Sequence, residues 1–237
     1  MKIVCAASVL HAREAFSGLG DVVLVPDREI SRAHLQDADA LIVRSKTRVG
    51  PDLLEGTAVG FVATATAGAD HFDVPWLNRA GLAWTASPGC NANSVAEYVA
   101  AALALLARKR AALLPGQTLG IVGLGQVGSR VAQKAALLGL RVLRNDPPLA
   151  LKTGSADFLP LEILLPQIDA LTLHVPLESG GPFPTRHLAD CRLFEKLKPG
   201  TWFINSSRGA VTDSDSLQCA LDHHLLEIGR ASCRERV

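Results

Sequence analysis

Neither sign of charge dominates this chain: 24 lysines and arginines face 23 aspartates and glutamates, a formal net charge of +1. Nucleic-acid and anionic-membrane binders need a clustered basic excess, so neither partner is expected. Long apolar runs are absent too. The longest, Tyr98 to Ala107, has ten residues, too few to span a bilayer. Aromatic residues make up only 5%, yet 48% hydrophobic and 20% charged residues is an ordinary globular composition, unlike that of a disordered chain or a disulfide scaffold. There is no CxxC pair and no Cys–His spacing suited to a metal. The five cysteines (Cys5, Cys90, Cys191, Cys219, Cys233) are scattered, as in a protein with reduced thiols. The apolar run Ile3 to Leu10 is too short for a secretion signal and soon meets Arg13-Glu14, so a cytoplasmic location is expected.

What is present is an alternation of short apolar runs with amphipathic stretches, the pattern of βαβ units and a parallel sheet. Lys2–Ala6, Val22–Val25, Ala40–Val43, Phe61–Ala65 and Leu82–Trp84 read as strands, with helices or helical turns between them. Ser94 and Glu97 have the spacing of a capping box, which predicts a long helix from Ser94 to Arg110. Pro115-Gly116 breaks the chain before a second series. The expected architecture is α/β with two Rossmann-like or flavodoxin-like units, residues 1–93 and 94–226, the second incomplete at its C-terminal end.

Thr118 to Val122 is a strand running into Gly123-x-Gly125-x-x-Gly128 and then a helix. Gly123 permits the tight turn, Gly125 lets backbone approach a pyrophosphate, and Gly128 allows close helix–strand packing. The helix N-terminus offers free N–H groups and partial positive charge to phosphates. Asp146 follows Gly128 by 18 residues at the end of the next strand. There it reads as the acceptor for an adenosine ribose, which favours NAD over NADP; a solvated turn before Pro147-Pro148 is the other reading. Asp169–Val175 and Thr201–Asn205 read as further strands, each ending in a loop on the ligand side. His174, inside the first of them, reads as a satisfied, partly buried histidine rather than a catalytic one, and His71 as a structural loop residue.

Together these segments resemble the D-2-hydroxyacid dehydrogenases. The matching stretches are Val43 to Val49, Thr64 to His71, Ser87 to Ala92, Gly123 to Gly128, Asp146-Pro-Pro148, His174 to Leu177, His187 to Asp190 and Asn205 to Asp213. The resemblance implies reversible hydride transfer between C2 of a 2-hydroxy acid and NAD. It makes Arg208 the catalytic cation, whose guanidinium suits a carboxylate, and Ser45 and Thr66 substrate-contacting residues. It places Gln126 and Val127 on the pyrophosphate, Val175 near the cofactor, and Ser206 and Ser207 on the cofactor side of Arg208. Arg44, Lys46 and Arg48 make the Ser45 loop basic, which suits a phosphorylated substrate and reads equally as a solvated charge run. The full-length protein is expected to be a homodimer.

Two departures stand out. Ala6-Ala7-Ser8 replaces a more acidic turn, and none of the seven histidines matches the family's base. Residues 227–237 have neither strand alternation nor an apolar face. They read as a non-native tail on a truncated gene, with the catalytic His and Glu beyond it and this fragment inactive. Other members of the family, or a non-catalytic NAD-sensing protein on the same fold, are the competing readings.

Overall fold

Ten short strands, most followed by a helical connection, form two parallel sheets in a computed structural model that describes residues 1–109 and 114–227. The chain divides at Cys90–Asn91 into two compact units. In the first, β1 (Lys2–Ala6), β2 (Asp21–Val25), β3 (Ala40–Val43), β4 (Phe61–Thr64) and β5 (Ala83–Thr85) are joined through α1 (Ala12–Phe16), α2 (Arg32–Leu35), α3 (Pro51–Leu54) and α4 (Val74–Arg79). Their order across the sheet is β2-β1-β3-β4-β5. Every residue of β3 is buried, and its neighbour β1 is buried from Ile3 to Ala6, as strands covered on both faces require.

The second unit begins with α5 (Ala92–Lys109). There follow β6 (Thr118–Val122), α6 (Gln126–Leu137), β7 (Arg141–Asn145), α7 (Pro147–Thr153), α8 (Leu161–Leu164), β8 (Ala170–Leu173), α9 (Cys191–Phe194), β9 (Thr201–Asn205), α10 (Ser214–Asp222) and β10 (Leu226–Glu227). The order β10-β9-β8-β6-β7 repeats that of the first sheet, read from the opposite edge. One face packs Leu119, Ile121 and Ile204 against Val99, Leu103 and Val131 of α5 and α6. The other packs Val122, Leu171 and Phe203 against Leu164, Phe194 and Ala220.

Three expectations change. The Ser94–Glu97 capping box does not form, because the helix already begins at Ala92; Glu97 instead accepts from Asn93 Nδ2 at 2.8 Å and lies 3.7 Å from Lys134 Nζ. The two compact units meet in sequence at 90–91, beside the expected boundary at 93. His174 stands one residue beyond its strand, since β8 ends at Leu173. Of the expected tail, Glu227 belongs to β10, paired with Trp202; residues 228–237 lie outside the described residues. Among the described residues no helix is long and apolar enough to cross a membrane.

Candidate functional site

In a parallel sheet the loops leaving the carboxyl ends of the strands face the same side, and ligands bind where the strand order reverses. In the second unit that point lies between β6 and β8. The glycine turn leaves β6 there with Gly123 at φ 87°. A Cβ on Gly123 would lie 2.6 Å from the His174 carbonyl oxygen, and one on Gly128 only 1.9 Å from the Gly123 oxygen. A Cβ on Gly125 would meet nothing within 4 Å. Two glycines thus shape the turn, and the third opens onto free space at the start of α6. Gln126, Val127 and Gly128 form the first turn of that helix, where backbone N–H groups have no partner within the helix.

Asp146 follows β7, with both carboxylate oxygens engaged. Oδ2 accepts from the Leu124 N–H inside the glycine turn at 2.7 Å, and Oδ1 from the Leu149 N–H at 3.0 Å, capping α7. The reading of Asp146 as a solvated turn residue is therefore set aside: Pro147 and Pro148 open a helix, where the missing proline N–H costs nothing. Val175 lies over Gly123, its Cγ1 2.9 Å from where that residue's Cβ would be. His174 links β8 to the loop that follows β9, with Nε2 3.0 Å from Thr172 Oγ1 and Nδ1 3.0 Å from Ser206 Oγ. Burial pushes its imidazole down to about 4, so the ring is neutral at physiological pH.

Beyond β9, Asn205 organises the loop that carries the arginine. Its Oδ1 accepts from the Ser207 N–H at 2.9 Å and hydroxyl at 2.7 Å, while Nδ2 donates to the Arg208 carbonyl and to Thr212 Oγ1, each at 2.9 Å. Arg208 itself is half-buried, Nη1 reaching the Ser207 carbonyl at 3.3 Å. Asn205 escaped the sequence reading of roles, although an Asn at a strand end before Ser-Ser-Arg-Gly is the available signal. Gly123, Val175, His174 and Ser206 are brought into one cluster, and Asp146 into contact with the glycine turn.

In the first unit, Ser45 and Thr66 each follow the end of a strand, β3 and β4, that pair with one another. Thr47 anchors the Ser45 loop through Oγ1 to the Asp27 carbonyl at 3.0 Å, leaving Lys46 and Arg48 exposed. The Val49 N–H donates to the His71 carbonyl at 2.9 Å, stitching this loop to the one after Thr66. Where Ala6-Ala7-Ser8 lacks an acid of its own, Asp27 supplies one. Its carboxylate accepts from the Ser8 hydroxyl at 2.6 Å and N–H at 3.3 Å, and Arg44 Nη1 reaches the Ser8 carbonyl at 3.5 Å. Among the described residues no group of three or more His, Cys, Asp or Glu side chains could hold a metal.

The open space at Gly125, the N-terminus of α6 and the fixed carboxylate of Asp146 fit a dinucleotide. The chain belongs to the D-isomer specific 2-hydroxyacid dehydrogenases, for its residues 98–229 match the model of their NAD-binding domain. It is 49% identical over 217 residues to an erythronate-4-phosphate dehydrogenase of Klebsiella pneumoniae, an alignment covering 92% of this chain and 57% of that protein. A Salmonella paratyphi B protein of the same name is 48% identical, with 94% of this chain and 59% of that protein covered. The chain thus spans under two thirds of the length of these relatives. An NAD+-bound 3-phosphoglycerate dehydrogenase from Entamoeba histolytica superposes with a TM-score of 0.83 at 26% identity, covering 98% of this chain and 80% of that one.

Proposed function

We propose that the chain is the larger part of an NAD-dependent enzyme that oxidises 4-phospho-D-erythronate at C2 to 2-oxo-3-hydroxy-4-phosphobutanoate, a step toward pyridoxal phosphate. The observation that carries this reading is the 49% identity across 92% of the chain to an erythronate-4-phosphate dehydrogenase. NAD, when bound, accepts the hydride from C2. Gln126 and Val127 hold the pyrophosphate, Asp146 the ribose, and Val175, Ser206 and Ser207 border the cofactor. Arg208 holds the substrate carboxylate with its guanidinium fork and polarises the C2 oxygen. Ser45 and Thr66 contact the substrate, and the positive charge of Arg44, Lys46 and Arg48 favours a phosphorylated one. The hydroxyl proton passes to a histidine base. The family resemblance assigns that role to none of the seven histidines here, and in this reading residues 1–237 alone bind NAD without ordinary turnover. The full-length enzyme is a cytoplasmic homodimer in this reading.

A second reading, 3-phosphoglycerate as substrate, is favoured by the structural likeness to the amoebal enzyme. The test is turnover of erythronate 4-phosphate, 3-phosphoglycerate and unphosphorylated 2-hydroxy acids by the full-length enzyme, with NAD and with NADP. Erythronate 4-phosphate with NAD is expected to be fastest. A preference for 3-phosphoglycerate moves the substrate, and equal use of NADP removes the role given to Asp146. NAD binding with no turnover makes the protein a sensor.

A further inference from the structure

Thr64, at the end of β4, is 1% exposed and carries a hydroxyl into the core of the first unit. Its Oγ1 lies 3.1 Å from His71 Nε2 and 2.7 Å from Thr66 Oγ1, and Thr66 Oγ1 lies 2.8 Å from the Gly68 carbonyl oxygen. The direction of this chain follows from donor counting. A carbonyl oxygen only accepts, so Thr66 gives its single proton to Gly68. Its oxygen then accepts from Thr64, and the Thr64 oxygen in turn accepts from a proton on His71 Nε2. Run the opposite way, the same atoms make two hydrogen bonds instead of three, and a polar group goes unpaired beside a buried threonine, which is costly. Aromatic neighbours hold the imidazole in place for this bond. It packs edge-on to Phe72 at 4.7 Å between centroids, and Phe72 is itself edge-on to Trp84 at 6.2 Å.

We propose that the Gly68 carbonyl oxygen, by taking the Thr66 proton, makes Thr66 a hydrogen-bond acceptor for a hydroxyl group of the substrate, and that His71 is a positioning residue which holds the buried Thr64 hydroxyl, and with it the Thr66 oxygen, in place. This rests on the reading above that Thr66 contacts substrate. With its proton on Gly68 and one lone pair facing Thr64, the Thr66 oxygen has one lone pair left. That lone pair welcomes a ligand O–H and repels a carboxylate or phosphate oxygen. Thr66 thus selects a polyhydroxy acid by a hydroxyl, while the charged ends of the substrate are recognised elsewhere.

Two measurements test this. In long-range 1H–15N spectra of the folded chain, His71 Nε2 is expected to carry the proton; an unprotonated Nε2 overturns the proposal without any reference to substrate. Binding is then measured, in the presence of NAD, for erythronate 4-phosphate and for its 2-deoxy and 3-deoxy analogues. The parent chain is expected to favour the hydroxylated ligand over at least one analogue by about threefold to tenfold, the range of one ordinary hydrogen bond. Thr66→Val should erase that preference; His71→Leu, which loosens the Thr64 hydroxyl but leaves the Gly68 acceptor, should weaken it, and His71→Gln, whose amide N–H reaches in place of Nε2, should restore it. If Thr66→Val still discriminates, the substrate role of Thr66 fails. If Thr66→Val loses the preference but His71→Leu keeps it in full, the contact stands and the positioning role of His71 falls.

Discussion

Three glycines in one turn make opposite demands on a methyl group. At Gly128 an added Cβ would stand 1.9 Å from the Gly123 oxygen, backbone against backbone, whereas at Gly125 it would meet nothing within 4 Å. Gly128→Ala must therefore push α6 away from β6, at a cost of about 1–3 kcal/mol for overpacking, roughly 2–12 °C in Tm at this chain length. Gly125→Ala should leave Tm unchanged while weakening NAD, because its methyl enters the space a pyrophosphate would occupy. Thermal melts and NAD titrations of both variants separate the two effects; a large Tm loss in Gly125→Ala contradicts the assignment. Arg208 gives a second test, in the full-length enzyme. Arg208→Lys keeps the charge but loses the planar fork, so turnover should fall by about 10²–10³ with NAD affinity nearly intact. Near-normal turnover would remove Arg208 from the reacting centre.

At the scale of elements, the two units solve one problem in the same way. The strand order is the same, and an aspartate stands just before the third strand of each sheet. Asp39 accepts from the Lys2 N–H at 2.6 Å and Asp169 from the Thr118 N–H at 2.8 Å, while the N–H of each aspartate donates back to the carbonyl of the same residue. Asp169 also meets Lys198 Nζ at 2.8 Å. Asp169→Ala leaves the partly buried Thr118 N–H without its acceptor, a loss of about 1–3 kcal/mol. Asp169→Asn keeps an oxygen for that bond and gives up only the half-exposed ion pair, a difference of about 0–1 kcal/mol. Urea unfolding of the two variants checks the order; equal losses would place the effect in the ion pair. The two strand–helix series were readable in outline, since strand and glycine patterns depend on local spacing; that the second repeats the first was not. The start of α5 was not, because Ser94 and Glu97 satisfy a capping pattern wherever the helix begins. Contacts such as Asn205 to Thr212, or His71 to Thr64, arise only once loops have turned back on themselves, so no local period announces them.

For the molecule as a whole, these contacts set how stability responds to acid. The His174 imidazole sits near 4 in the fold against an ordinary 6.5, because burial disfavours its charged form. Between those values the unfolded chain binds a proton that the folded chain excludes, so stability falls as pH falls from 6.5 to about 4, and is unaffected by this group above 6.5. The size is up to about 3 kcal/mol at the acid end of that window, at 1.36 kcal/mol per unit. Asp213 acts lower on the scale. Hydrogen bonds from Ser216, with the His187 charge adding a smaller pull, hold its carboxyl below the ordinary 3.8. Its contribution is therefore present above 3.8 and disappears only in stronger acid. The acid limb should thus descend in two stages, the imidazole first and the carboxylates after it. Denaturant unfolding of residues 1–237 at pH 8, 6.5, 5 and 4 should show the first stage. His174→Gln, which has no proton to gain there, should flatten it whatever that variant costs at pH 8. A parent chain whose stability holds level from 6.5 to 4, or a variant with the same slope, would show that His174 is not the group that titrates.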